Sequence, residues 1–157
     1  MNTVSLRPTT EADEDFLRTV YAATREEELA LVDWTEAQKS AFLRMQFDAQ
    51  DKHYREAYGN AQFLVIERDR RPVGRLYISR RERDIRIMDI ALLAEGRNAG
   101  VGTALLREIL DEAARASKSV SIHVERFNRA MRLYERLGFT KVDEHGVYYL
   151  MEWKPVS

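Results

Sequence analysis

The stretch Ile85-Arg86-Ile87-Met88-Asp89-Ile90-Ala91-Leu92-Leu93-Ala94-Glu95-Gly96-Arg97-Asn98-Ala99-Gly100-Val101-Gly102-Thr103-Ala104-Leu105-Leu106-Arg107-Glu108-Ile109-Leu110 decides how this chain folds. Its first half is an apolar run broken only by Arg86, Met88 and Asp89, the pattern of a buried strand. Its second half, continued to Ala113, places Val101, Leu105, Ile109 and Ala113 four residues apart, the buried stripe of an amphipathic helix. Between them lies a glycine turn. The N–H groups of a helix's first turn lack internal partners and sit at the positive end of the macrodipole, while glycine lets a ligand approach the backbone closely. A strand, such a turn and a helix start together form an anion site, so a phosphorylated ligand is expected there.

Two common phosphate motifs do not fit this turn. Counting from Gly96, the second glycine of a P-loop falls on Val101 and no lysine follows. A dinucleotide fingerprint requires a third glycine where Leu105 stands, and it opens a longer βαβ unit than the 55 remaining residues provide.

The rest of the chain supplies the frame. Val4–Pro8 reads as a short strand, followed by an N-cap at Thr9 or Thr10 and a helix to about Ala23 with Phe16, Leu17, Val20 and Tyr21 on its buried face. A second, longer helix starts at Asp33–Thr35 and runs toward Tyr58, where Gly59-Asn60 ends it. Phe63–Ile66 and Val73–Ile78 form a hairpin around Asp69–Pro72, and a polar turn at Arg80–Asp84 leads into the strand that starts at Ile85. Beyond the helix, Ser119–Val124 is a strand joined in parallel through a right-handed crossover. A short helix over Asn128–Leu137 is closed by Gly138, and Phe139–Asp143 pairs with Val147–Trp153 as a last hairpin. The expected fold is α+β: a mixed, mostly antiparallel sheet of about seven strands with four helices, in the order β-αα-βββ-α-β-α-ββ. One domain over 1–157 is expected.

Composition excludes several function classes. The chain carries 45% hydrophobic and 32% charged residues, and no apolar run approaches the ~18 residues of a membrane span. The N-terminal Met1–Arg7 segment lacks the apolar core of a signal peptide, so no membrane association and a cytoplasmic location are expected. Without cysteine there is neither a disulfide framework nor a thiolate metal site nor a cysteine nucleophile, and no metal is expected. A net charge of −1 argues against a protein held on nucleic acid by bulk electrostatics.

The turn Arg97-x-x-Gly100-x-Gly102 after an apolar strand resembles the acetyl-CoA signature of the GCN5-related N-acetyltransferase (GNAT) superfamily. Downstream, Asn128-x-Ala130-x-x-Leu133-Tyr134-Glu135-x-Leu137-Gly138-Phe139 resembles a second segment of that family, one helix and one strand away. Ala94 stands where many members carry proline and Asn98-Ala99 where a glycine pair element is common, but neither change removes an N–H donor.

The resemblance implies acetyl-CoA as cosubstrate and transfer of its acetyl group to a primary amine of a small molecule or a peptide. It assigns the pyrophosphate to the turn formed by Arg97, Asn98, Ala99, Gly100, Val101, Gly102 and Thr103. The backbone of Leu92 and Leu93 would hold pantetheine and the acetyl carbonyl, with Asn128 bonding pantetheine. Tyr134 would protonate the leaving sulfur, since a hydroxyl of ordinary pKa ~10 keeps its proton at pH 7. Tyr134 packing against the sheet and Asn128 capping its helix are the structural alternatives. For the base, the resemblance points to His123, five residues before Asn128, and Asp89 lies on the neighbouring strand; Asp89 is equally placed to pair with an arginine of the facing strand. Arg129, Arg132 and Arg136 share a helical face that would meet the nucleotide phosphate or water. The Glu26-Glu27-Glu28 run is a solvated surface or, with Asp33, Trp34, Tyr54 and Tyr58, the side on which family members build the acceptor pocket. The family's members are commonly dimers, which admits a homodimer. A non-catalytic module that senses CoA on the same fold is the alternative function.

Overall fold

The computed structural model describes residues 3–97 and 100–156. Its elements are strands β1 (Val4–Pro8), β2 (Ala61–Arg68), β3 (Arg71–Arg80), β4 (Asp84–Leu92), β5 (Ser119–Glu125), β6 (Thr140–His145) and β7 (Tyr148–Trp153). The helices are α1 (Glu14–Thr24), α2 (Glu26–Ala30), α3 (Glu36–Ala57), α4 (Val101–Arg115) and α5 (Met131–Arg136). The strands form one sheet in the order β1-β2-β3-β4-β5-β7-β6, antiparallel except for the β4–β5 pair. The mixed seven-stranded sheet is as expected. Among the described residues no helix is long and apolar enough to cross a membrane.

The helix count differs from the expected four. Arg25 leaves helical geometry at φ −108° and ψ 1°, and Glu26–Ala30 restarts as the separate helix α2. Three glutamates carry no apolar periodicity, but negative charge suits a helix's first turn. The last helix is also shorter than expected. The Asn128 side chain accepts the Ala130 N–H at 2.8 Å, so 128–130 form a turn before Met131. The β2–β3 hairpin turns at Asp69 and Arg70, both with positive φ, as a two-residue turn of primed type requires. Pro72 falls inside β3, at a register shift opposite Glu67 where the ladder is already broken.

Helix α4 covers one face of the sheet. Val101, Leu105, Leu106, Ile109 and Ala113 pack there with Leu76, Ile78, Ile85, Ile87, Val120 and Ile122 in the main core. The other face carries α1 and α3, which meet through Leu17, Tyr21 and Phe47. Burying each large aliphatic side chain is worth about 1.5–3 kcal/mol, so the stripe Val101-Leu105-Ile109 anchors α4 and the glycine turn in front of it.

Two irregularities set β4 apart from the other strands. Tyr77 pairs with Asp89 and Ile78 with Ile87, so Met88 is an extra residue in a β-bulge. Before the bulge Ile85 and Ile87 face α4; after it Ile90 and Leu92 do, and Asp89 turns to the opposite face. In addition, β4 pairs with β5 only from Asp84↔Ser119 to Ile87↔Ile122, although β4 stays on β3 up to Leu92 and β5 stays on β7 up to Glu125. Beyond Ile87 and Ile122 the two parallel strands part.

Candidate active site

The parting of β4 and β5 opens a cleft of ≈ 590 Å³. Among the residues singled out from the sequence, Asp89, Leu92, Arg97, Gly102, His123, Asn128 and Tyr134 line it. Leu93, Gly100, Val101 and Thr103 are not in its lining, and Asn98 and Ala99 lie outside the described residues.

The start of α4 has the geometry of an anion cradle. Gly100 adopts φ 76° and ψ 6°, a left-handed conformation that disfavours any side chain with a Cβ. Its carbonyl accepts the Ala104 N–H at 2.9 Å, which leaves the N–H groups of Val101, Gly102 and Thr103 without an intrahelical acceptor. Gly102 has ordinary helical φ, and a Cβ there would meet Leu92 Cδ1 at 3.5 Å, a normal contact. Its value is therefore the open space it leaves in the cleft lining. Arg97 donates from Nε to the Leu92 carbonyl at 3.0 Å, and the Leu93 N–H donates to the Val73 carbonyl at 2.8 Å. The turn is thus tied to the end of β4, and these two backbone groups already have partners.

Tyr134 is 3% exposed, with its ring edge-to-face against Phe139 at 5.8 Å between centroids. Burial pushes its hydroxyl well above the ordinary tyrosine value, followed by the charge of Asp89, so the group keeps its proton at neutral pH. It is a buried acid that lines the cleft.

Asp89 is fully engaged. Arg75 donates from Nε to Oδ1 at 3.2 Å and from Nη2 to Oδ2 at 2.8 Å, and the Tyr54 hydroxyl reaches Oδ2 at 3.3 Å. Of the two roles open to Asp89 in the sequence, this geometry is the pairing with an arginine of the facing strand. The Tyr54 hydroxyl is shared with the Met88 carbonyl, also at 3.3 Å, so the cluster grips the bulge itself. Burial, then the Asp89 charge, pushes that hydroxyl far above its ordinary range. His123 lies on the exposed side of β5, its Nδ1 3.3 Å from Arg86 Nη1. Burial, then the Arg86 charge, holds it below the ordinary histidine value of 6.5.

The far side of the cleft is built from the α1–α2 segment and the end of β5. Arg25 reaches Glu28 and Glu125 from one nitrogen, each at 2.9 Å, and Arg129 reaches Glu27 at 2.5 Å. Glu26, Glu27 and Glu28 line the cleft together with Tyr54, whereas Asp33, Trp34 and Tyr58 do not. Trp34 instead meets Phe42 edge to face, 5.1 Å between centroids. Arg129 sits in the turn before α5 and not on the helical face expected for it.

Sequence reading expected an arginine opposite Asp89 without naming Arg75, and it missed the bulge, though both left a trace. An arginine between Gly74 and Leu76-Tyr77-Ile78 in a buried strand needs a buried partner. The switch of isoleucines from 85 and 87 to 90, with Leu92, marks an inserted residue.

Residues 59–141 match the family model described as "Acetyltransferase (GNAT) domain". No curated protein sequence matches the chain significantly. Among solved structures, the PaiA N-acetyltransferase from Thermoplasma acidophilum in complex with coenzyme A superposes with a TM-score of 0.70 at 17% identity, covering 97% of this chain and 99% of that one. An acetyltransferase from Thermus thermophilus gives 0.66 at 17% identity, with 97% of each chain covered. A spermidine N-acetyltransferase chimera from Vibrio cholerae and hSSAT gives 0.65 at 17%, covering 96% of this chain and 95% of that one. At these identities the likeness is one of fold.

Proposed function

Because the chain belongs to the GNAT acetyltransferase family, we propose that it moves the acetyl group of acetyl-CoA to a primary amine by direct attack on the thioester. The observation that carries this reading is the divergence of β4 from β5 beside the first turn of α4, with the buried, protonated Tyr134 lining the same cleft. In this reading the pyrophosphate lies on the turn from Arg97 through Asn98, Ala99 and Gly100 to the first-turn N–H groups of Val101, Gly102 and Thr103, which have no acceptor within α4. Pantetheine runs through the gap along Leu92 and Leu93, with Asn128 at its side.

The amine nitrogen attacks the acetyl carbonyl carbon and the C–S bond breaks. The ammonium's first proton leaves to solvent or a base before attack, the departing thiolate takes the Tyr134 proton, and the second proton, lost from nitrogen as the amide forms, returns to the Tyr134 oxygen directly or through water. No acetyl-enzyme forms, in keeping with a chain that has no cysteine.

For the acceptor we favour a cationic amine. Among the described residues, five carboxylates line the cleft (Glu26, Glu27, Glu28, Asp89, Glu125) against three guanidiniums (Arg75, Arg97, Arg129), and Tyr54 and Tyr148 add aromatic surface. Thiol release from acetyl-CoA, followed over a panel of polyamines, basic peptides and acidic amino acids, tests both parts. Release on cationic amines supports the reading; release only on anionic acceptors overturns the acceptor class; binding of acetyl-CoA without release on any amine leaves a CoA-sensing module.

A further inference from the structure

Arg86 and His123 form a unit that the transfer chemistry itself does not use. Arg86 lies on β4 in register with Ser121 of β5 and donates from Nε to Ser121 Oγ at 2.7 Å; that hydroxyl donates to Asp84 Oδ2 at 2.9 Å. Arg86 Nη1 extends to the Tyr58 hydroxyl at 3.4 Å and to His123 Nδ1 at 3.3 Å. A guanidinium has five donors and no acceptor, so the ring nitrogen facing it must accept. Nδ1 then carries no proton, and the single proton of the neutral ring sits on Nε2.

We infer that Arg86 fixes His123 as a neutral imidazole with its proton on Nε2, so that His123 holds the acceptor molecule by donating a hydrogen bond and does not take the proton of its amine. This rests on the acetyltransferase reading of the cleft that His123 lines. To act as a base the ring would have to bind a proton at Nδ1, displacing the Arg86 contact and setting two cations side by side. A donor aimed at the amine nitrogen would compete with attack for its lone pair. The partner of Nε2–H is therefore an oxygen of the acceptor, which among cationic acceptors favours an amine that also carries a hydroxyl or carbonyl group, such as a basic peptide, over a polyamine. Arg86 is a positioning residue acting through His123.

The other groups around the ring do not restore a base. His145 of β6 acts in the same direction as Arg86, and Asp143 of β6 opposes it. On β5, Ser121 and Glu125 alternate onto the same side, but Ser121 is committed to Arg86 and Asp84 and Glu125 to Arg25. Across the ladder on β7 stands the apolar Leu150, and Tyr58 beside the end of α3 meets the same Arg86 nitrogen.

The test starts with ¹⁵N–¹H long-range correlation spectra of His123 in the ligand-free protein, which report tautomer and titration without reference to activity. Expected are an Nε2–H ring at neutral pH and a titration midpoint that rises in Arg86→Leu toward the ordinary value of ~6.5. A proton on Nδ1, or a midpoint indifferent to Arg86→Leu, overturns the proposal. The second arm is kinetic. His123→Ala is expected to raise KM for the acceptor, and His123→Gln, which keeps an N–H donor but cannot titrate, to recover part of that loss while keeping both limbs of the wild-type pH profile. A loss of ~10²-fold in His123→Gln together with loss of a pH limb makes His123 a base. If the wild-type protein releases thiol on no amine, the acetyltransferase reading fails while the spectroscopic arm still decides the state of the ring.

Discussion

Arg75 of β3 and Asp89 of β4 meet as an ion pair at 2.8 Å beneath the cleft, with Arg75 only 1% exposed. Gln50 of α3 accepts from the same Arg75 nitrogen at 2.9 Å, and the rings of Tyr77 and Tyr21 stand 4.8 and 5.7 Å from the guanidinium. The pair joins α3 to the bulge that turns β4. A buried cation needs its counter-charge more than the fold needs the pair, so removing one partner is far worse than removing both.

Asp89→Ala is therefore expected to destabilise the protein by about 3–5 kcal/mol, and Arg75→Met combined with Asp89→Leu by clearly less. Urea unfolding measures both. Unchanged stability in Asp89→Asn with turnover abolished would contradict the structural role and make Asp89 a base.

The two glycines of the turn are expected to fail differently. Gly100→Val forces a β-branched residue to φ 76° and should lower both stability and acetyl-CoA affinity. At Gly102 a Cβ meets Leu92 at an ordinary 3.5 Å and the backbone is helical, so Gly102→Val should cost less stability than Gly100→Val while filling part of the cleft lining and weakening acetyl-CoA binding by tenfold or more, about 1.4 kcal/mol. Calorimetry that finds equal affinity in Gly102→Val would remove the cofactor from this turn.

Tyr134→Phe deletes the hydroxyl and keeps the ring against Phe139. Turnover should drop by ~10²-fold with acetyl-CoA affinity nearly unchanged. Equal turnover under conditions where chemistry limits the rate would reduce Tyr134 to a packing residue.

The acid limb of stability should report Asp13. Its carboxylate accepts from two nitrogens of Arg7 at 2.8 Å and from the Thr10 N–H at 2.8 Å, which holds its pKa down to about 2 from 3.8, the Arg7 hydrogen bonds contributing most. The folded state thus binds the Asp13 proton more weakly than the unfolded chain does. Its contribution is present above pH 3.8 and is lost as pH falls toward 2. Asp13→Asn should cost about 1–2 kcal/mol at pH 6 and flatten the slope of stability between pH 4 and 2. An identical slope in the variant would contradict this.

The frame of the molecule was legible because its signals are local. Alternation marks the strands, the spacing of Val101, Leu105, Ile109 and Ala113 marks α4, and the glycines mark its start. The acidic helix α2 was not, since three consecutive glutamates show no face until the adjoining Arg25 and the distant Arg129 meet Glu28 and Glu27. Of the residues singled out in the sequence, Asp89, Leu92, Arg97, Gly102, His123, Asn128 and Tyr134 line one cleft, but apart from an arginine facing Asp89 their partners were not legible. Whether Asp89 and His123 are free depends on Arg75 and Arg86, which reach them only through the register of β3, β4 and β5. Register is a property of paired strands, and the bulge at Met88 decides which face Asp89 joins.

Direct transfer of acetyl from acetyl-CoA to an amine is tested most directly by mass spectrometry of the whole protein and of its small-molecule products, with acetyl-CoA carrying a ¹³C-labelled acetyl group. Expected are label on the amine nitrogen of a cationic acceptor, one CoA thiol released per acetyl transferred, and unlabelled protein when the amine is left out. Label accumulating on the protein in the absence of amine, or acetyl-CoA left intact with every amine offered, would contradict direct transfer.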